Sequence, residues 1–312
     1  MPLIESLKSF FLNLPLPDAA FELAAGYLSG IRISRRSRSA RGRFILPLDP
    51  GGFAASFDRA NVTDAASLKE RIAEGKERLG LTRGRISVLI PEPCVRIFIL
   101  TVDSVPGPQA EREAFIRWRI GKQMPLVHED LVITSVVSRG GPSQTIMACM
   151  ARRAVVQEYE ELFADCGLSV GTVTVPSLGL INLLGGEIGA AGGLLLNVED
   201  DYVSLLAFTE SEWHLYRQKA FLTESRTSWT LDQKVDQVAK EISNTAHFLE
   251  DKEMIKVEKI WARSGVLEDG VELIARLQSA QDLPVEAVDY PAREPWDVRE
   301  KAILAPLVGM IR

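Results

Sequence analysis

Hydrophobic and polar positions along the chain switch between a period near 3.6 and short apolar runs, predicting alternating helices and strands. Leu3, Ile4, Leu7, Phe10, Phe11 and Leu14 recur at helical spacing until Pro15 and Pro17 stop the run, which predicts an amphipathic segment over 1–18. Strand-length runs follow at 20–23 and 28–33, and a third ends in Phe44-Ile45-Leu46. Gly26 and Gly30 punctuate them as turn or bulge residues. Residues 64–79 predict a helix with Ala65, Leu68, Ile72 and Leu79 on one face, Asp64 as N-cap and Gly80 as its stop. Strands are predicted at 86–90 and 95–102. A helix at 109–122 is expected to turn Ala114, Phe115 and Trp118 inward. Strands at 131–137 and 145–151 precede a helix at 153–166 carrying Val155, Tyr159, Leu162 and Phe163. The second half repeats this outline. A strand pair at 192–198 and 202–208 flanks Glu199-Asp200-Asp201, and a third strand covers 213–220. A long helix at 231–250, a strand at 259–262 and helices at 271–279 and 302–312 follow.

Two similar α/β lobes are the simplest architecture for this repeat. A length of 312 residues supports two cores. With 46% hydrophobic and 25% charged residues, disorder and collagen are excluded for the chain as a whole. A net charge of −6 argues against a protein that coats nucleic acid. No apolar run approaches the ~20 residues of a membrane helix, and the N-terminus makes a poor secretory signal. Cys94, Cys149 and Cys166 form no framework, and His128, His214 and His247 lie too far apart in sequence to suggest a metal site.

Arg32, Arg35, Arg36, Arg38, Arg41 and Arg43 crowd the link between the second and third strands. They form either a solvated hairpin tip or a contact with an anionic surface, for which Arg35, Arg36, Arg38 and Arg41 are the candidates. No phosphate loop of the GxxxxGK[ST] type, HExxH, GxSxG or GxGxxG frame occurs. On motifs alone the chain is no enzyme.

Several segments in order nevertheless resemble the PilM family of type IV pilus assembly. They are AFELAAG from Ala20, SQTIMACMARRAVVQEYEELFADC from Ser143 with GLSVGTVTVPSLGLINLL after it, VDQVAKEISNTAHFL from Val235, and the closing LAPLVGMIR. The resemblance implies an actin-like (ribonuclease H-like) α/β fold of two lobes. The first would span 19–188, with an inserted subdomain at about 84–151, and the second 189–312. It also implies a cytoplasmic adaptor that grips the N-terminal tail of a PilN-like protein at the inner face of the inner membrane, with other pilus platform components as further partners. The cytoplasmic part of the type II secretion protein GspL is a relative, so a secretion scaffold is one alternative.

The family's three nucleotide loops map onto Glu22, Ala24, Ala25, Gly26 and Ser29 for the first loop, Asn197, Val198, Glu199, Asp200 and Asp201 for the second, and Ser264-Gly265 for the third. Each departs from the family pattern. Glu stands for the usual Asp, Ala24 for a small Gly-type residue, and consecutive carboxylates face where backbone amides meet phosphate. The expectation is a degenerate cleft that needs no cofactor, the alternative being a chain that still binds ATP and Mg²⁺ and modulates its partner through them.

Overall fold

The structure, a computed structural model, describes residues 17–34, 39–123, 130–138, 144–184, 192–210, 212–221, 229–291 and 295–311. Residues 1–16 of the amphipathic segment expected over 1–18, with Arg35, Arg36 and Arg38, lie outside them.

The apolar runs of the first half become β1 (Ala19–Leu23), β2 (Tyr27–Ile33), β3 (Ala40–Pro47), β4 (Gly84–Leu89) and β8 (Leu168–Thr174), one sheet of order β3-β2-β1-β4-β8. The second half gives β9 (Gly192–Val198), β10 (Tyr202–Phe208), β11 (Trp213–Ala220), β12 (Val257–Ser264) and β13 (Val285–Ala287), in the order β11-β10-β9-β12-β13. The two orders are the same with the chain's halves exchanged. Even the opening hairpins close alike, Ala24 N–H donating to Tyr27 O at 2.9 Å and Glu199 N–H to Tyr202 O at 2.8 Å. In each sheet the first strand pairs antiparallel with the second and parallel with the fourth.

A separate three-stranded sheet, β5-β7-β6, contains β5 (Val95–Val102), β6 (Leu131–Ser138) and β7 (Gln144–Arg152). Because β4 pairs with β1, the stretch expected as an insert from about 84 yields a separate sheet only from Val95 onward. Helix α1 (Ala65–Arg78) starts at Asp64, whose side chain accepts from Ser67 N–H at 3.0 Å. It covers the first sheet together with α3 (Arg153–Ala164), through Ile72, Phe21, Phe44 and Phe163. Gly30 forms no bulge. It sits inside β2 and, with Gly75 of α1, leaves room for the Phe44 ring.

Helix α2 (Gln109–Gln123) packs on the small sheet through Ile116 and Ile120, while Trp118 is 55% exposed. Of the inward face expected at Ala114, Phe115 and Trp118, Phe115 packs half-buried against the small-sheet core, whereas Ala114 and Trp118 are exposed. Isoleucines at i and i+4 lie against the sheet, and Trp118, with Lys122 over its ring at 3.7 Å, faces out.

Helices α5 (Leu231–Glu253) and α6 (Gly270–Ala280) cover the outer face of the second sheet. A capping box of Thr230 and Gln233 starts α5. Between the lobes lie α4 (Pro176–Leu183) and α7 (Val298–Ile311), the latter buried on every side from Ile303 to Ile311. They cross at Gly179 and Gly309, and α7 also touches β1, β2 and β12. One apolar core thus runs from Phe21 of the first sheet through Leu307 to Leu195 and Trp261 of the second. The periodicity did not place α4, β8 or β13, which are short and lack a clear period.

Candidate functional site

The sheets bring the ends of β1, β9 and β12 together, and a single arginine occupies the junction. Register places Asn197 opposite Arg263 across the parallel pair β9–β12 and Glu22 opposite Ser29 across β1–β2. Arg263 is buried, at 1% exposure. Its Nε donates to Ala302 O at 2.9 Å, and Nη1 donates to Asn197 Oδ1 at 2.9 Å and to Glu199 Oε1. Nη2 reaches Ile303 O at 2.9 Å, Tyr27 OH at 2.8 Å and Glu22 Oε1 at 3.2 Å. The Tyr27 hydroxyl lies 3.0 Å from Glu22 Oε1 and 3.2 Å from Glu199 Oε1, and donates to them. The planar guanidinium suits this role because its fork of donors can satisfy several acceptors at once.

Two carboxylates surround one guanidinium, so the cluster is rich in negative charge. Burial pushes Glu22 and Glu199 above the ordinary carboxylate range, and Arg263 pulls both partway back. Glu92, on the short turn before β5, is also buried and raised by desolvation, and accepts from Ser177 N–H at 2.8 Å.

The cleft positions read from sequence divide into two groups. Glu22, Asn197 and Glu199 converge on Arg263. Asp200 instead pairs with buried Lys234 of α5 at 2.8 Å, and its other oxygen lies 2.8 Å from where a Cβ on Gly26 would stand. Asp201 is pushed up to about 6, chiefly by burial. Ser264 Oγ accepts from Val266 N–H at 3.2 Å, while Gly265 N–H donates to Val198 O at 2.8 Å. A Cβ at Gly265 would overlap the Glu199 carboxylate. Ala24 is buried in the first hairpin turn, Ala25 is half-buried and the Ser29 hydroxyl is buried without a hydrogen-bond partner.

The centre of the junction holds a side chain already fully bonded, and the groups around it are carboxylates. Among the described residues no group of three His, Cys, Asp or Glu side chains is placed to hold a metal ion.

Sequence reasoning missed Arg263, Tyr27 and Glu92. The available signal was an arginine inside the apolar strand KIWARS, in register with acidic or amide residues at the ends of the paired strands. Of the arginine-rich link, Arg41 is exposed, whereas Arg32 donates to Leu79 O and Gly80 O, and Arg43 pairs with Glu300 at 3.2 Å while lying over the Trp296 ring.

A second feature adjoins the junction. A groove of about 630 Å³ runs between β5, an edge of the small sheet, and β11, an edge of the second five-stranded sheet. Residues 55–59 form one rim, with Arg96 over the Phe57 ring at 4.7 Å. Tyr216, Gln218 and Ala220 form the opposite wall. The rim is held by Glu158, which accepts from Asn61 N–H and Val62 N–H, both at 2.8 Å. The Asn61 side chain in turn bonds Ser56 and Arg59.

No protein-family model and no curated protein matches the sequence. Solved structures do match its fold. The PilM–PilN type IV pilus biogenesis complex contains a chain 15% identical, superposed over 95% of this chain and 96% of that one with a TM-score of 0.76. A Bacteroides thetaiotaomicron protein of unknown function with an actin-like ATPase fold is 12% identical over 96% and 97%, with a TM-score of 0.56. The ethanolamine utilization protein EutJ of Carboxydothermus hydrogenoformans is 9% identical over 99% and 98%, at 0.52. Likeness over nearly the full length of each partner establishes the fold, which is actin-like.

Proposed function

We propose that this chain is a PilM-like adaptor of a type IV pilus assembly platform, a binding protein rather than an enzyme, working at the inner face of the inner membrane. The reading rests chiefly on the end-to-end superposition with a chain of the PilM–PilN complex, at a TM-score well above those of the other actin-like structures. Its partner is the N-terminal tail of a PilN-like inner-membrane protein. The groove between β5 and β11 supports this role, because two strand edges offer backbone groups and the half-buried Phe98 and Tyr216 offer an apolar seat to an extended segment. No helix among the described residues is long and apolar enough to cross a membrane, so the adaptor would reach the membrane through that tail.

The cleft is degenerate and takes no nucleotide in this reading. Arg263 stands where the lobes meet, and the surrounding carboxylates repel a phosphate chain. The test is a pair of calorimetric titrations of the purified chain. A synthetic peptide of the partner's N-terminal tail is expected to bind one-to-one, and ATP with Mg²⁺ is expected to give no heat up to millimolar concentration. Saturable ATP binding would overturn the degenerate cleft, and failure of the tail peptide to bind would overturn the adaptor reading.

A further inference from the structure

We propose that the Arg263 cluster is a built-in latch that sets the angle between the lobes and thereby the width of the groove between β5 and β11. The claim about partner binding rests on the reading of that groove given above. The claim about groove width does not.

The groove belongs to both lobes. Phe57 and Val95 line it from the first half of the chain, and Tyr216 and Gln218 from β11 of the second sheet. Its width therefore changes with any rotation of one sheet against the other. Across the junction, Arg263 to Glu22, Arg263 to Tyr27 and Tyr27 to Glu199 are direct polar links between the two sheets. All of these side chains are buried, so opening the lobes would separate charge-assisted bonds before water could replace them. The carbonyls of Ala302 and Ile303 tie α7 to the same guanidinium. An actin-like fold whose lobes are bridged by its own arginine has a fixed closure that needs no ligand.

The latch also has a physical path to the groove. Glu92 stands immediately before Pro93 and Val95 of the groove wall. Its carboxylate accepts from Ser177 N–H at the start of α4, and its backbone N–H lies 3.5 Å from the Tyr202 hydroxyl. On the opposite wall, Tyr216 faces Glu92, whose charge adds to burial in raising the phenol. The groups that face this path are Glu22, Arg263, Glu92, Tyr202, Tyr216 and Ser204. A shift of the second sheet relative to Glu92 moves both walls of the groove.

The test places spin labels across the groove at Arg59→Cys and Gln218→Cys, with Cys166→Ser. Half-buried Cys149 is replaced by Ser as well, and full burial keeps the Cys94 thiol out of the labelling reaction. Distances are compared, without partner, in the wild-type background, with Arg263→Met and with Tyr27→Phe. The latch predicts a single narrow distribution that broadens and shifts outward by several ångströms in Arg263→Met, and to a lesser degree in Tyr27→Phe. Tail-peptide affinity should fall at least tenfold in Arg263→Met. If Arg263→Met does not fold, Tyr27→Phe decides. Unchanged distances in a folded variant overturn the latch. Wild-type protein that binds no tail peptide, with distances that still shift, overturns the adaptor reading and leaves the latch standing. Distances that shift with affinity unchanged overturn the link between groove width and partner binding.

Discussion

The guanidinium of Arg263, on the fourth strand of the second sheet, lies 3.2 Å from the carboxylate of Glu22, on the first strand of the first sheet, with side-chain exposures of 0% and 1%. The pair joins residues 241 positions apart and ties the two halves of the molecule together directly. A buried charge held this way stabilises little in itself, but removing one partner leaves the others stranded. Arg263→Met is expected to lose about 3–5 kcal/mol, because two carboxylates stay buried without their cation. Adding Glu22→Gln and Glu199→Gln should recover much of that loss. Urea unfolding of the single and triple variants checks this, and a triple variant weaker than the single would contradict it.

The same surplus of carboxylates fixes a pH dependence. Burial raises Glu22, raises Glu199 to about 8 from 4.5, and raises Asp201 to about 6 from 3.8. The folded state therefore holds protons that the unfolded chain has released between about pH 4 and pH 8. Stability should fall as pH rises through that window, by up to about 1.4 kcal/mol per pH unit for each proton held. Denaturation at pH 5, 6, 7 and 8 should show the decline, and Glu199→Gln should flatten its upper part. A profile that is flat from pH 5 to 8 would mean that these carboxylates are ionised throughout.

Much of this architecture is legible in the sequence, because strands such as GGLLLNV and helices such as that from Leu231 declare themselves by length and period. The mirrored halves can be read as well, since both open with a hairpin around a tight turn. Two kinds of information are lost. Short elements such as β13, with three residues, are fixed by their neighbours and carry no period of their own. The face of a helix is ambiguous where two apolar stripes adjoin, as with Ile116–Ile120 and Phe115–Trp118. The cleft was half legible. Glu22, Asn197 and Glu199 stand out by position, but the partner that unites them lies on β12, and only the fold brings Arg263 to them. The consecutive acids at 199–201 looked alike in sequence. In space, one turns to Arg263, one to Lys234, and one is half-buried in the turn.

The crossing of α4 and α7 gives a sharper test of packing. A Cβ on Gly309 would overlap the carbonyl oxygen of Gly179, and one on Gly179 would overlap that of Pro306. These neighbours are backbone atoms, which cannot rotate aside as a side chain can. Gly309→Ala should cost about 1–3 kcal/mol through overpacking alone. It should also push α7 from the junction and weaken the bonds from Arg263 to the Ala302 and Ile303 carbonyls. Thermal unfolding would show the loss, whereas a Gly309→Ala protein as stable as wild type would mean that the helices slide apart without penalty.

The groove rim depends on one residue outside it. Glu158 of α3 accepts from two consecutive amides, Asn61 and Val62, and so anchors the loop that carries Phe57. Glu158→Ala leaves those N–H groups without their acceptor, at a cost of about 1–3 kcal/mol where burial denies them water. The disturbance should stay local, since the loop keeps its other ties: Phe57 in the small-sheet core, Phe53 against Tyr159, Cys94 Sγ 3.4 Å from Asn61 Oδ1, and Arg152, which donates to Asp58 O at 3.1 Å. Hydrogen exchange should accelerate over residues 54–63 in Glu158→Ala and remain unchanged in the second sheet. Tail-peptide binding should weaken in proportion to the loosening of the rim, and Glu158→Gln, which keeps an acceptor oxygen, should fall between the two. If exchange over the loop is the same in all three proteins, the rim is held by Asn61 and its neighbours, and Glu158 is a bystander.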